Sequence, residues 1–227
     1  MAGCVPFRAP GANEVAVTSG LGIAAILPTD PNTAADGAPI FKQEYEILNG
    51  QTTPDGEHIY KEVIIPPEIP FIYTDGEGAK ELLTSGSGAL FMGFPECPWC
   101  RTLLPALVSA YAKSGYNGAI YYYNALEDRD TLSLSDDGDI VVEEEGKPVY
   151  HDLVAILYDH LMPYSGLNDD SIRRIYLPTT VFVNNGEITA VHLTTIDSQE
   201  SGYDVLTGEQ YAELENLLLD EFNSIIG

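Results

Sequence analysis

Ala89-Leu90-Phe91-Met92-Gly93-Phe94-Pro95-Glu96-Cys97-Pro98-Trp99-Cys100-Arg101 is the stretch whose reading decides the fold. The run Ala89 to Phe94 is apolar and too short for an ordinary helix, which suits a strand buried on both faces. It leads directly into two cysteines separated by two residues. A helical pattern follows, with Leu103, Leu104, Leu107, Val108 and Tyr111 on one face. Gly115 and Gly118 bracket a turn, and Ala119 to Tyr123 reads as another strand. Strand, Cys-x-x-Cys, helix, strand is the setting that separates a redox dithiol from a chance pair of cysteines.

Upstream, Phe41, Tyr45 and Leu48 recur at helical spacing and predict a short helix ending at Asn49-Gly50. After a polar turn at Pro54-Asp55-Gly56, the run Ile59 to Ile65 reads as a strand closed by Pro66-Pro67. Asp75 to Ser85 reads as a helix that buries Ala79, Leu82 and Leu83. Downstream, residues 125–176 read as an insertion. It holds a hairpin over Leu132 to Val142, turning at Asp136-Asp137-Gly138, and a helix over Val149 to Leu161. Leu177 to Val183 is a predicted strand, joined through Asn185-Gly186 to a second strand, Ile188 to Leu193. Thr207 and Gln210 form a capping-box pattern for a last helix, Gly208 to Ile226.

Three spacings extend the dithiol signal. Pro105 stands five residues past Cys100, Pro178 precedes a strand, and the Asn-Gly turn ends at Gly186, eight residues beyond Pro178. With these, the sequence resembles the thioredoxin superfamily over residues 59–124 and 175–226. The resemblance implies an α/β, thioredoxin-like fold: a central mixed sheet flanked by helices, with an N-terminal extension and a helical and hairpin insertion before a cis-proline strand. The domain would span 41–227, with the extension at 41–58 and the insertion at 125–176, behind a flexible spacer at 1–40 rich in Gly, Ala, Pro, Thr and Asn. The longer string GFPECPWCR is also similar to thioredoxin-like proteins described as bacteriocin transport accessory proteins.

Thiol–disulfide exchange needs a thiolate, and a free cysteine with a pKa of about 8.5 is mostly protonated at neutral pH. Cys97 falls at a predicted helix N-terminus, where unpaired N–H groups and the helix dipole favour a negative sulfur, so it is the expected nucleophile. Cys100, one turn further on, resolves the mixed disulfide. Pro98 suits the first helical turn because its missing N–H would have had no partner there. Trp99, between the sulfurs, offers apolar contact to a substrate. The family resemblance makes Pro178 cis, so that Leu177, Pro178 and Thr179 present backbone against which a substrate segment pairs. Arg101 favours the thiolate if it faces Cys97, and is a solvated helix-surface residue if it does not; Glu96 opposes the thiolate. Many thioredoxins carry a buried Asp six residues before the nucleophile; here Phe91 stands there, and another group or water must take the Cys100 proton. The intervening Pro-Trp leaves the direction of exchange open.

The chain has 227 residues, with 35 acidic against 10 basic, a formal charge of −25 and a pI of about 4.1. A nucleic-acid binder needs clustered cations, and these are scattered. With 44% hydrophobic residues the chain can bury a core, and no apolar run reaches the length of a membrane span. The segments 89–124 and 177–194 carry no net charge, since Glu96 and Glu187 are matched by Arg101 and Lys113. His151, His160 and His192 lack ligand spacing, so neither a metal nor a cofactor is expected, and so cation-poor a surface would bind an anionic tripeptide badly. Arg173-Arg174, just before the Pro178 loop, either offsets Asp169 and Asp170 or orients a substrate.

Met1-Ala2-Gly3-Cys4 resembles the end of a bacterial lipoprotein signal, which makes Cys4 a candidate lipidated membrane tether; the plain reading is an ordinary N-terminus with a free thiol. The expectation is an extracytoplasmic, membrane-anchored or secreted monomer, with a cytoplasmic protein as the alternative. Its partners would be protein thiols and disulfides and a redox partner protein. The rival function is a non-enzymatic accessory module of the cell envelope that keeps the fold and docks through the insertion.

Overall fold

Strand β2 (Gly88–Met92) is buried along its whole length, and its side chains alternate between two cores. Ala89 and Phe91 enter one, Leu90 and Met92 the other, as the two-residue period of a strand requires. The structure is a computed structural model and describes residues 40–226. Cys4 and the spacer expected at 1–40 therefore lie outside the described residues, apart from Ile40.

Around β2 the chain builds a five-stranded mixed sheet in the order β1-β3-β2-β6-β7. β1 (Phe71–Tyr73) and β2 both run parallel to β3 (Ile120–Tyr123), while β6 (Thr179–Asn184) is antiparallel to β2 and to β7 (Glu187–Leu193). Helices α1 (Ile40–Glu46), α3 (Pro98–Ser114) and α5 (Gly208–Asn223) cover the face holding Phe91, Ile120, Tyr122 and Phe182. Helices α2 (Gly76–Ser85) and α4 (Pro148–Leu157) cover the face holding Leu90, Met92, Val181 and Val183. This is an α/β architecture, thioredoxin-like in topology, with β4 (Thr131–Leu134) and β5 (Ile140–Glu144) as a separate two-stranded hairpin.

Local chemistry accounts for most element ends. Asp75 caps α2 by accepting from the Gly78 N–H at 2.9 Å. Thr207 and Gln210 cap α5 reciprocally. Asn185 and Gly186 turn β6 into β7 with positive φ at both residues.

One expectation needs correction. The run Ile59 to Ile65 is not a strand of the sheet. Tyr60, Val63 and Ile65 are buried, but Ile59 and Ile64 are each 64% exposed, and the segment bonds to the N-terminal helix and the turn that follows it. Ile65 N–H donates to Glu46, Val63 N–H to Asn49 Oδ1, and Asn49 Nδ2 to the Val63 carbonyl. Side chains thus take the backbone groups a neighbouring strand would have taken, and β1 forms only after Pro66-Pro67. Within 125–176 the two parts pack differently. Tyr150, Leu153, Leu157, Leu161 and Ile175 lie in the second core, so α4 packs on the sheet while the hairpin stands apart from it.

Candidate active site

Cys97 is the N-cap of α3, and its Sγ accepts the Cys100 N–H at 3.1 Å. Cys100 is the third helical position, whose N–H has no partner within the helix and points back at the cap, while Pro98 at the first position has no N–H to leave unsatisfied. On its other side the Cys97 thiol donates to the Leu177 carbonyl oxygen at 3.6 Å. The Leu177–Pro178 peptide bond is cis. Both cysteines are free thiols; Cys97 is 3% exposed and Cys100 fully buried. Burial, with Cys97 beside it, pushes the Cys100 thiol well above the ordinary range.

Gly93 leaves room for the Cys100 sulfur, since a Cβ there would lie 3.0 Å from Cys100 Sγ and 2.7 Å from the Phe91 ring. Trp99 is half-buried; its ring packs where a side chain on Gly202 would otherwise sit, 2.9 Å from a Cβ built there. Leu177 is half-buried. Thr179 is fully buried and spends its hydroxyl on the Tyr176 carbonyl at 2.6 Å, so its side chain faces inward. Glu96 is half-buried on the loop before the dithiol.

Arg101 is not a solvated helix-surface residue. It is 1% exposed and spends its guanidinium on the carbonyls of Lys61, Tyr45 and Pro95 and on Asn49 Oδ1, at 2.5 to 3.0 Å. Its planar fork ties α1, the turn that follows it and the 59–65 segment to the loop that carries Cys97.

Sequence reasoning missed the groups beneath Cys100. Phe91 packs against Tyr122, and Tyr122 against Tyr45 and Tyr73. The hydroxyls of Tyr45 and Tyr122 are buried, make no hydrogen bond of ordinary length, and interact electrostatically with each other and with Cys100. Behind Tyr122 lies Glu44, which accepts from the Tyr73 hydroxyl and whose carboxyl is pushed up by burial. The one signal that pointed here was Phe91 itself, an apolar residue where an acid was expected.

Among the described residues, no group of three or more His, Cys, Asp or Glu is arranged to hold a metal ion, and no helix is long and apolar enough to cross a membrane. No protein-family model matches the sequence, and no curated protein does.

Proposed function

We propose that this protein is a thiol–disulfide oxidoreductase that exchanges disulfides with protein substrates through Cys97 and Cys100. The observation that carries the reading is the position of Cys97 Sγ, held between the Cys100 N–H and the Leu177 carbonyl at the start of α3. In the reducing direction the Cys97 thiolate attacks one sulfur of a substrate disulfide. A Cys97–substrate bond forms, the substrate S–S bond breaks, and the other substrate sulfur leaves as a thiolate. Cys100 then gives up its proton and attacks Cys97 Sγ, releasing the second substrate thiolate and leaving a Cys97–Cys100 disulfide. Two electrons pass to the substrate, and oxidation of a substrate dithiol is the same sequence reversed.

A buried thiol cannot hand its proton directly to bulk water. In this reading Tyr122 and Tyr45 relay it, each oxygen taking one proton as it gives up its own, with Glu44 as the acceptor at the surface end. The reading extends to a monomer of the cell envelope, supplied with electrons or oxidising equivalents by a partner dithiol protein. The experiment is disulfide exchange with a peptide in both directions, beside a Cys97→Ser variant. Exchange that depends on Cys97 is expected; no exchange in either direction, or exchange that survives the substitution, overturns the proposal.

A further inference from the structure

Lys42, Lys80, Lys113 and Lys147 each pair with a carboxylate, as expected on a chain so rich in acids. Arg129, Arg173 and Arg174 do not: among the described residues no carboxylate oxygen lies within 4.0 Å of any of them. Among those residues Lys61 and Arg101 also lack a carboxylate partner, but they spend their donors on other protein oxygens. The surroundings of the three arginines are built. The Arg174 guanidinium stacks 4.3 Å from the Tyr164 ring centre and donates to the Asp130 carbonyl at 3.3 Å, while Arg173 lies over Tyr158. The Nε atoms of Arg173 and Arg174 are buried without a hydrogen-bond partner.

Arg129 and Arg174 are half-buried and close enough to repel one another. Arg174 bonds the carbonyl of Asp130, the residue after Arg129, and its guanidinium lies 6.0 Å from the Tyr176 ring centre, one residue before the Leu177 carbonyl that meets Cys97 Sγ. Burial, and then the Arg174 charge, pull Arg129 below the ordinary guanidinium range. Two like charges held together beside a reactive sulfur are relieved by an anion. Asp130 shares the neighbourhood, since it and both arginines act on Tyr150, yet its Oδ1 is buried without a partner and it stays out of ion-pair range. Even with Asp130 counted, the cluster keeps an excess of positive charge.

We propose that Arg129 and Arg174 form an anion subsite beside Cys97 that selects protein substrates carrying an acidic residue next to the cysteine being exchanged. This rests on the exchange reaction proposed above. The chemistry recognised is a carboxylate adjacent to a disulfide, bound through the planar, multiply donating guanidiniums. The subsite lies toward the 176–177 backbone that meets Cys97, so it would engage the substrate as the mixed disulfide forms. The protein's overall charge works against such a substrate at long range, so any preference for it must arise locally.

The test is single-turnover reduction, by the reduced full chain, of two disulfide peptides that differ only in Glu or Gln beside the cysteine. It is run alongside 3,3′-dithiodipropionate and 2-hydroxyethyl disulfide as an anionic and a neutral small disulfide. The expected result is that the Glu peptide reacts about tenfold faster, the factor that one charge-assisted hydrogen bond contributes. In an R129Q/R174Q variant the preference should vanish or reverse. Equal rates for the two peptides, or a uniform loss for both in the variant, overturn the subsite. A preference seen only in the small pair overturns its assignment to protein substrates. Failure of every disulfide to react overturns the exchange reaction itself, which is a different outcome. The wild-type comparison needs no substitution, so a variant that fails to fold leaves it standing.

Discussion

Cys97 Sγ and the carbonyl oxygen of Leu177 lie 3.6 Å apart, although 80 residues separate them in the chain. The sheet brings them together, because β2 delivers the dithiol and β6, its antiparallel neighbour, begins directly after Pro178. A substrate sulfur bound to Cys97 would therefore lie against the 177–179 backbone while Cys100 waits beneath it.

That arrangement separates the roles of the two thiols. Cys97→Ser should lower exchange by at least about 100-fold, since a hydroxyl is a poor nucleophile at neutral pH. Cys100→Ser should instead leave the attack intact and trap the mixed disulfide. Mass spectrometry of the Cys100→Ser protein after reaction with a peptide disulfide should show one peptide attached at Cys97.

Tyr122→Phe separates chemistry from packing. The hydroxyl has no hydrogen bond of ordinary length, so its removal should leave stability within about 1 kcal/mol of wild type. If it takes part in moving the Cys100 proton, resolution of the mixed disulfide should slow about tenfold while the first attack is unchanged. Glu44→Gln should move the pH profile of resolution and not that of attack. Rapid-quench trapping of the mixed disulfide measures both steps.

The Cys100 thiol and the Tyr45 and Tyr122 hydroxyls all have folded-state pKa values raised above the ordinary ones, chiefly by burial. A raised value means the folded state keeps a proton that the unfolded chain loses. The stability these groups contribute is complete at neutral pH and declines as pH rises past 9.0 for the thiol and 10.0 for the tyrosines. The oxidised protein has no Cys100 thiol to titrate. Urea titrations should show the reduced form losing stability about one pH unit earlier than the oxidised form, with a slope of about 1.4 kcal/mol per pH unit for Cys100.

Arg101→Leu should destabilise the protein by at least about 3 kcal/mol, because it leaves the carbonyls of Tyr45, Lys61 and Pro95 buried without their donor. Arg101→Lys keeps the charge but not the fork and should recover only part of the loss. The midpoint of urea unfolding at unchanged slope measures both.

The centre of the fold was legible because its signals are local. An apolar run, a Cys-x-x-Cys and a helical face lie within 89–111, and the capping box of α5 and the Asn185-Gly186 turn are equally compact. Ile59 to Ile65 was misread because its β-branched residues do bury alternate side chains, but against α1; propensity reports a half-buried extended surface and not its partner. Arg101 was unreadable for the opposite reason. Its acceptors lie 40 to 56 residues upstream, apart from Pro95, and no spacing rule links them. The Arg173-Arg174 pair stood out in the sequence, whereas Arg129, in another loop, joins it only through the folding of the insertion.

The Arg101 clamp also has a mechanical consequence. One guanidinium bonds the backbone of α1 at Tyr45 and the backbone of the dithiol loop at Pro95. A pull applied on the N-terminal side of Ile40, as from an anchor, would reach the peptide preceding Glu96 and Cys97 through a single side chain. Phe41 of the same helix stacks on Phe71 of β1, so the load would divide between the sheet and the loop that carries Cys97.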